Sequence, residues 1–242
     1  MKGDRGVPVR LKYRKVGKIR WISHRDVARA LERSFRIAEL PLAFSEGFSP
    51  RPRVSFGLAL ATGHESEAEY VDLVLAQSVA VDTLAERLNP SLPEGMEIVG
   101  AVPLVDRAPA LQEAVTFVEW TVEIEPVADV RERVATGLQA ASLETTRRRK
   151  GREVVEDVRP VIRSIVVRDD TTLEMQLNTQ PRSAKPGEVL TAISDHIGSQ
   201  LTVDTLVEVR ALRTHQWIER DGARQEPLDA DTRPCAPEAR AS

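Results

Sequence analysis

Hydrophobic and polar positions alternate at the start of the chain. In residues 7–22, VPVRLKYRKVGKIRWI, Val9, Leu11 and Tyr13 fall on one side of an extended backbone and Arg10, Lys12 and Arg14 on the other. A strand or hairpin with one cationic face is expected there. In residues 23–38, SHRDVARALERSFRIA, the period lengthens: Val27, Leu31, Phe35 and Ala38 recur at helical spacing, Ser23 is placed to cap the helix, and Asp26 is three residues on, where a capping box closes. Pro41 stops the helix. PLAFS, RVSFGLAL and AEYVDLVLA read as strands, VDTLAERLNPSLPEG as a short helix ending at Asn89-Pro90, and MEIVGAVPL as a strand.

The resulting order is strand, helix, strand, strand, helix, strand. TFVEWTVEIEP, ADVRERVATGLQAA, VRPVIRSIVVRD, TTLEMQLNTQ, GEVLTAISDHIG and LVEVRALRTHQWIE then repeat it. The expected fold is α+β: two tandem ferredoxin-like (split βαβ) domains with antiparallel sheets, at 1–104 and 115–221. Residues 105–114 read as a linker, and 222–242, charged, Pro-containing and aperiodic, as a disordered tail. The halves share element order and no residue-level identity.

The formal charge of −3 hides a strong segregation. Residues 1–56 carry 14 Lys/Arg against 5 Asp/Glu, residues 57–132 carry 3 against 15, residues 133–185 carry 11 against 7, and residues 186–242 carry 6 against 10. The basic segments either meet a polyanionic partner or are neutralised by acidic segments within the fold. No apolar run is long enough to span a membrane and no secretory signal is visible, so no membrane partner and a cytoplasmic location are expected. The single cysteine, Cys235, excludes an internal disulfide and a cysteine-ligated cluster within one chain.

Arg25, Arg29, Arg33 and Arg36 span about 80° of the helix surface at roughly 100° per residue, away from Val27, Leu31 and Phe35. A guanidinium fork matches phosphate oxygens, so this stripe is a candidate anion site; the alternative is an ordinary solvated face. The segment SEGFSPRPRVSFG, 45–57, adds Gly47, Phe48, Arg51 and Arg53 in a loop stiffened by Pro50 and Pro52. Phe48 is expected either to stack on a base or to anchor the loop. Arg147, Arg148, Arg149 and Lys150 form a cationic run at an expected hairpin tip, which either tracks phosphates or only solubilises the loop. His24 is the one candidate general base, and as a residue of a helix start it more naturally bonds locally. His64, His196 and His215 lack metal-ligand spacing, so no metal or other cofactor is expected. The acidic residues Glu65, Glu67, Glu69 and Asp72 read as a solvated strand face lying away from the basic surface.

The run WISHRDVARALERSFRIAELPLAFSEGFSPRPRVSFGLALATGHESEAEYVDL, followed by LNPSLPEGMEIVGA, resembles the radical SAM-linked family, a bacterial domain of unknown function. Residues 8–104 carry the resemblance strongly and the second half weakly. Members resemble either a C-terminal extension of a cobalamin-binding radical SAM protein or a separate short protein, and their genes often neighbour a ribonuclease E/G gene. The family's loop often reads NPHPK, and Arg51 stands here in place of its histidine. A radical SAM cluster needs three cysteines, so that activity cannot reside in this chain. The resemblance implies a radical SAM enzyme or a ribonuclease E/G-type protein as partner. The leading expectation is a non-catalytic RNA-binding accessory of an RNA-modifying or RNA-processing enzyme. The alternatives are a protein-only adaptor or substrate carrier for a radical SAM enzyme, and a metal-independent RNA endonuclease. The last follows from a similarity of paired ferredoxin-like domains to CRISPR repeat-processing nucleases, and its base would be His24.

Overall fold

The computed structural model describes residues 6–105, 107–149, 151–198 and 205–233, and the chain divides into two compact units. The first comprises Met1–Thr62, Ser66–Ala114 and Ile218–Ser242; the second comprises Gly63–Glu65 and Val115–Trp217. Both are mixed α+β, and the strand pairings within each are antiparallel.

In the first unit, β1 (Val7–Lys15), α1 (His24–Ile37), β2 (Val54–Phe56), β3 (Glu65–Leu75), α2 (Leu84–Leu88) and β4 (Met96–Pro103) follow in sequence and the strands lie side by side as β4-β1-β3-β2. The alternation of β1 determines what each face of this sheet does. Val9, Leu11 and Tyr13 enter a core with Val27, Leu31 and Phe35 of α1 and Leu84 and Leu88 of α2. Helix α1 begins where the Ser23 hydroxyl accepts the Asp26 N–H at 3.3 Å and donates to the Asp26 carboxylate at 2.6 Å. This hydroxyl, with Arg29 adding less, holds the Asp26 carboxyl below its ordinary value. At the other end, Glu39 adopts a left-handed φ of 48° and the Leu40 N–H returns to the Phe35 carbonyl at 2.9 Å, closing the helix ahead of Pro41. A four-residue helix, α3 (Leu111–Ala114), occupies part of the expected linker. Leu111 is buried and packs on Gly57, where a β-carbon would come within 3.1 Å of its side chain.

In the second unit, β5 (Phe117–Ile124), α4 (Val130–Gln139), β6 (Glu144–Arg149), β7 (Arg152–Asp157), β8 (Ile162–Val167), β9 (Thr172–Asn178), α5 (Pro186–Gly198) and β10 (Glu208–Arg220) follow in sequence. Here the sheet runs β10-β5-β9-β8, while β6 and β7 form a separate two-stranded hairpin between α4 and β8. The last three residues of β10 belong to the first unit. Helices α4 and α5 approach closely at Gly137, where a β-carbon would sit 2.7 Å from the Ile193 side chain.

Three expectations need correction. Residues 223–233, expected within a disordered tail, form β11 (Ala223–Gln225), paired with the end of β10, and then a strap across the first unit. Along the strap, Glu226 takes Lys12 at 2.7 Å, the Pro227 carbonyl accepts from Arg10 at 3.1 Å, Leu228 sits over Gly100, and Asp231 takes Arg220 through both carboxylate oxygens at 2.8 Å. Residues 234–242, Cys235 among them, lie outside the described residues. The strap has no periodicity because it is pinned by side chains and by single backbone bonds such as Val105 N–H to the Asp231 carbonyl, not by a ladder. The strap also covers part of the cationic face expected of β1: Arg10 is fully buried and forks onto Asp72 at 2.7 and 2.9 Å. The third correction concerns the acidic block. Glu65 and Glu69 are buried, and Glu65 and Asp72 are the structural counter-charges of Arg210 and Arg10, so the block is not a solvated face.

Candidate functional site

Helix α1 buries Val27, Leu31, Ser34 and Phe35 and leaves Arg25, Arg29, Arg33 and Arg36 exposed on its other side. Arg29 meets Asp26 at 3.3 Å in a solvent-screened pair; Arg25, Arg33 and Arg36 have no carboxylate partner among the described residues. An arginine that is neither buried nor paired keeps its five donors for a ligand.

After the helix, residues 43–53 fold back on themselves. The Arg53 N–H donates to the Ala43 carbonyl at 2.8 Å, the Ser45 N–H to the Arg51 carbonyl at 2.9 Å, and the Arg51 N–H to the Ser45 hydroxyl at 3.1 Å, with Phe44 and Pro52 bridged between them. The base of this hairpin is stitched to β3 through Ala43 N–H to the Val74 carbonyl and Val74 N–H to the Arg53 carbonyl. Gly47 turns the tip at φ 126°, a conformation that side-chain-bearing residues rarely adopt. Arg51 and Arg53 are exposed and unpaired among the described residues, and Phe48 is fully exposed, so it does not anchor the loop. The hairpin runs into β2, where Phe56 meets the His24 ring edge-on at 5.0 Å. That contact ties the start of α1 to the strand that follows the hairpin.

Two aromatic residues that periodicity did not single out belong to the same neighbourhood. Trp21 lies just before the Ser23 cap, 65 % exposed, with the Arg20 guanidinium over its ring at 5.2 Å; Phe44, in the hairpin arm, is 56 % exposed. The signal was present as KIRWIS, a tryptophan beside cations in a segment too short and polar to bury it.

The other candidates are placed differently. Arg147, on β6, is engaged by Glu156 of β7 at 2.8 Å, a carboxylate shared with Arg182 at 3.0 Å. The backbones of Arg148 and Arg149 continue β6, and Lys150 lies outside the described residues. His24 has the Phe56 ring as its neighbour and no hydrogen-bonding partner among the described residues. His64 bonds Glu208 at 2.9 Å and lies edge-on to Trp120 at 5.5 Å within the second unit. Among the described residues no three His, Cys, Asp or Glu side chains gather where a metal could sit. The second unit has an open cavity of about 310 Å³ over its sheet, with Glu119, Glu174, Gln176 and Ser164 in its lining. The hydrogen bond from the Arg168 guanidinium holds the Glu174 carboxyl below its ordinary value, and the two side chains form an ion pair at the cavity's edge. Among the described residues no helix is long and apolar enough to cross a membrane.

Comparison with solved structures gives weak, remote likenesses. A chain of "Crystal Structure of a Cbf5-Nop10-Gar1 Complex" matches at 12 % identity and a TM-score of 0.45, over 88 % of this chain and 49 % of its own. A chain of "Crystal structure of the archaeal box H/ACA sRNP Nop10-Cbf5 complex" matches at 11 % and 0.43, over 88 % and 48 %. The present chain thus spans about half the length of these chains. No curated protein matches the sequence. A family model does match, over residues 9–186, which is most of the chain, and the protein belongs to that family, described as "Uncharacterized protein conserved in bacteria (DUF2344)".

Proposed function

We propose that the protein is a non-catalytic RNA-binding accessory, acting in the cytoplasm with a separate RNA-modifying or RNA-processing enzyme. Each unit is read as a ferredoxin-like (split βαβ) domain, and the first presents α1 and the 43–53 hairpin to the RNA. The observation that carries this reading is the set of exposed arginines, Arg25, Arg33, Arg36, Arg51 and Arg53, that have no carboxylate partner among the described residues. Such guanidiniums suit phosphates, which they bind bidentately. The surroundings of His24, an aromatic ring and no polar partner, suit a structural role better than general-base catalysis. A radical SAM enzyme or a ribonuclease E/G-type protein is the proposed partner class, on the resemblance of residues 8–104 alone.

The test is the salt dependence of RNA binding. Arg29→Ala combined with Arg33→Ala is expected to weaken binding and to flatten the slope of log affinity against log salt by about 0.7 per lost contact for single strands or 0.9 for duplex. RNA recovered from these mixtures is expected to be intact. An unchanged slope at wild-type affinity would make the stripe a solvated face and remove the basis of the proposal.

A further inference from the structure

The RNA-binding reading leaves open what form of RNA this surface takes, and its aromatic side chains address that. Three large exposed rings lie within the same stretch of sequence, residues 21–53, as the arginines that have no carboxylate partner among the described residues. Phe48 is at the hairpin tip, Phe44 in the hairpin arm where its backbone bridges to Pro52, and Trp21 two residues before the helix cap. The hairpin leads directly into β2, and the His24–Phe56 contact joins β2 to the start of α1 three residues after Trp21. The rings and the arginines therefore belong to one continuous piece of the first unit.

None of the three rings does the packing that normally justifies a large aromatic residue. Phe48 touches solvent on all sides, and its loop is held by backbone bonds and by the Ser45 hydroxyl, none of which need a ring. Phe44 and Trp21 are each more than half exposed. The Arg20 guanidinium lies over Trp21 at 5.2 Å, a cation–π contact that sets a positive charge against this exposed indole. A duplex keeps its bases stacked on each other and shows a protein only backbone and groove edges, so exposed rings gain nothing from it. Unpaired bases have free faces that stack on aromatic side chains. The tip also carries an acidic residue, Glu46, which disfavours dense phosphate packing at that point and is compatible with a base there.

We infer that this surface takes single-stranded RNA, with unpaired bases stacking on Phe48, Phe44 and Trp21 while Arg25, Arg33, Arg51 and Arg53 hold the phosphates. The inference rests on the RNA-binding reading and narrows it.

The experiment uses the full chain with a labelled single-stranded RNA of mixed sequence, and the same RNA annealed to its complement. Single strands are expected to bind more tightly. Phe48→Ala is expected to weaken single-strand binding roughly five- to 150-fold, the range for losing one base–aromatic stack, with little effect on duplex binding. Phe48→Tyr restores a stacking face and should recover the affinity; Phe48→Leu keeps apolar bulk and should not. Because Phe48 is fully exposed among the described residues, these variants do not threaten folding. Single-strand binding should also quench the fluorescence of Trp21, and Trp21→Phe should remove that quench. Duplex binding as tight as single-strand binding, with Phe48→Ala indistinguishable from wild type, would overturn the inference and leave the RNA-binding reading standing. Failure to bind either RNA would defeat both. Rescue by Phe48→Leu as complete as by Phe48→Tyr would show an apolar protein contact instead of a base stack.

Discussion

Arg10 shows at the scale of a single residue how sequence and structure divide the information. Its alternation with Val9 and Leu11 correctly put it on the face of β1 opposite the core, but being on that face did not mean being in water. It is fully buried, its fork closed by Asp72 and by the Pro227 carbonyl, 217 residues away in sequence. No local pattern can report a partner that distant. Lys15 is similar, its ammonium spent on the Arg20 carbonyl at 3.0 Å. Arg25 and Arg33, by contrast, were legible, because a helix period alone determines which side they face. The burial of Arg10 makes Asp72 the sensitive position. Asp72→Ala leaves a guanidinium out of water with only one carbonyl acceptor, and removing one partner of a buried pair costs about 3–5 kcal/mol. Chemical denaturation should register that loss, whereas Arg33→Ala, on an exposed residue with no carboxylate partner among the described residues, should move the midpoint little. Equal, small effects would mean that water reaches Arg10 in solution.

At the scale of elements, the strands and helices with long regular patterns were readable, and the strap was not. β1, α1, β5, β9 and α5 each repeat an apolar residue at the period of their own backbone. The strap repeats nothing, and its charged, proline-containing composition is what disorder also looks like. Its ordering depends on a few specific links, of which Asp231 to Arg220 is the strongest on geometry, with two parallel bonds of 2.8 Å. The Arg220 hydrogen bonds hold the Asp231 carboxyl below its ordinary value of 3.8, with a lesser contribution from Arg10. A carboxylate whose folded pKa is depressed stabilises the fold fully above its unfolded value, and that contribution disappears as pH falls through the folded value. The strap should therefore stay fastened down to about pH 4 and loosen below it. Hydrogen exchange at Val105 and Arg233, whose N–H groups donate to the Asp231 and Pro103 carbonyls, is the local readout. Protection lost there before the rest of the first unit would agree; protection that survives as long as that of β1 would mean that the ion pair contributes nothing to holding the strap.

At the scale of the whole molecule, the chain's charge segregation acquires a physical meaning once internal cations are set aside. Residues 1–56 carry a formal excess of nine positive charges, yet Arg10, Lys12 and Lys15 are consumed by Asp72, Glu226 and backbone carbonyls, so among the described residues of this segment most of the arginines left without a carboxylate lie on α1 and the hairpin. Part of the balance is supplied by the end of the chain, since Ile218–Ser242 belongs to the first unit and its Glu226 lies on Lys12. Removing that segment should consequently change anion binding as well as stability. A chain ending at Gly222 lacks the strap, and it is expected to unfold at lower temperature and to bind RNA with a steeper salt slope, by about 0.7 for each newly available cation on a single strand. Lower stability would steepen the slope by itself only if the unfolded fraction grew with salt, because a constant unfolded fraction reduces affinity by the same factor at every salt concentration. The full-length Glu226→Gln variant controls for that: it frees the Lys12 ammonium while Arg10 keeps its partners. A steeper slope in both chains, larger in the truncated one, is the expected result. Slopes equal to wild type in both would mean that the β1 face stays closed to polyanions even without its cover, and would leave α1 and the hairpin as the whole of the anion surface.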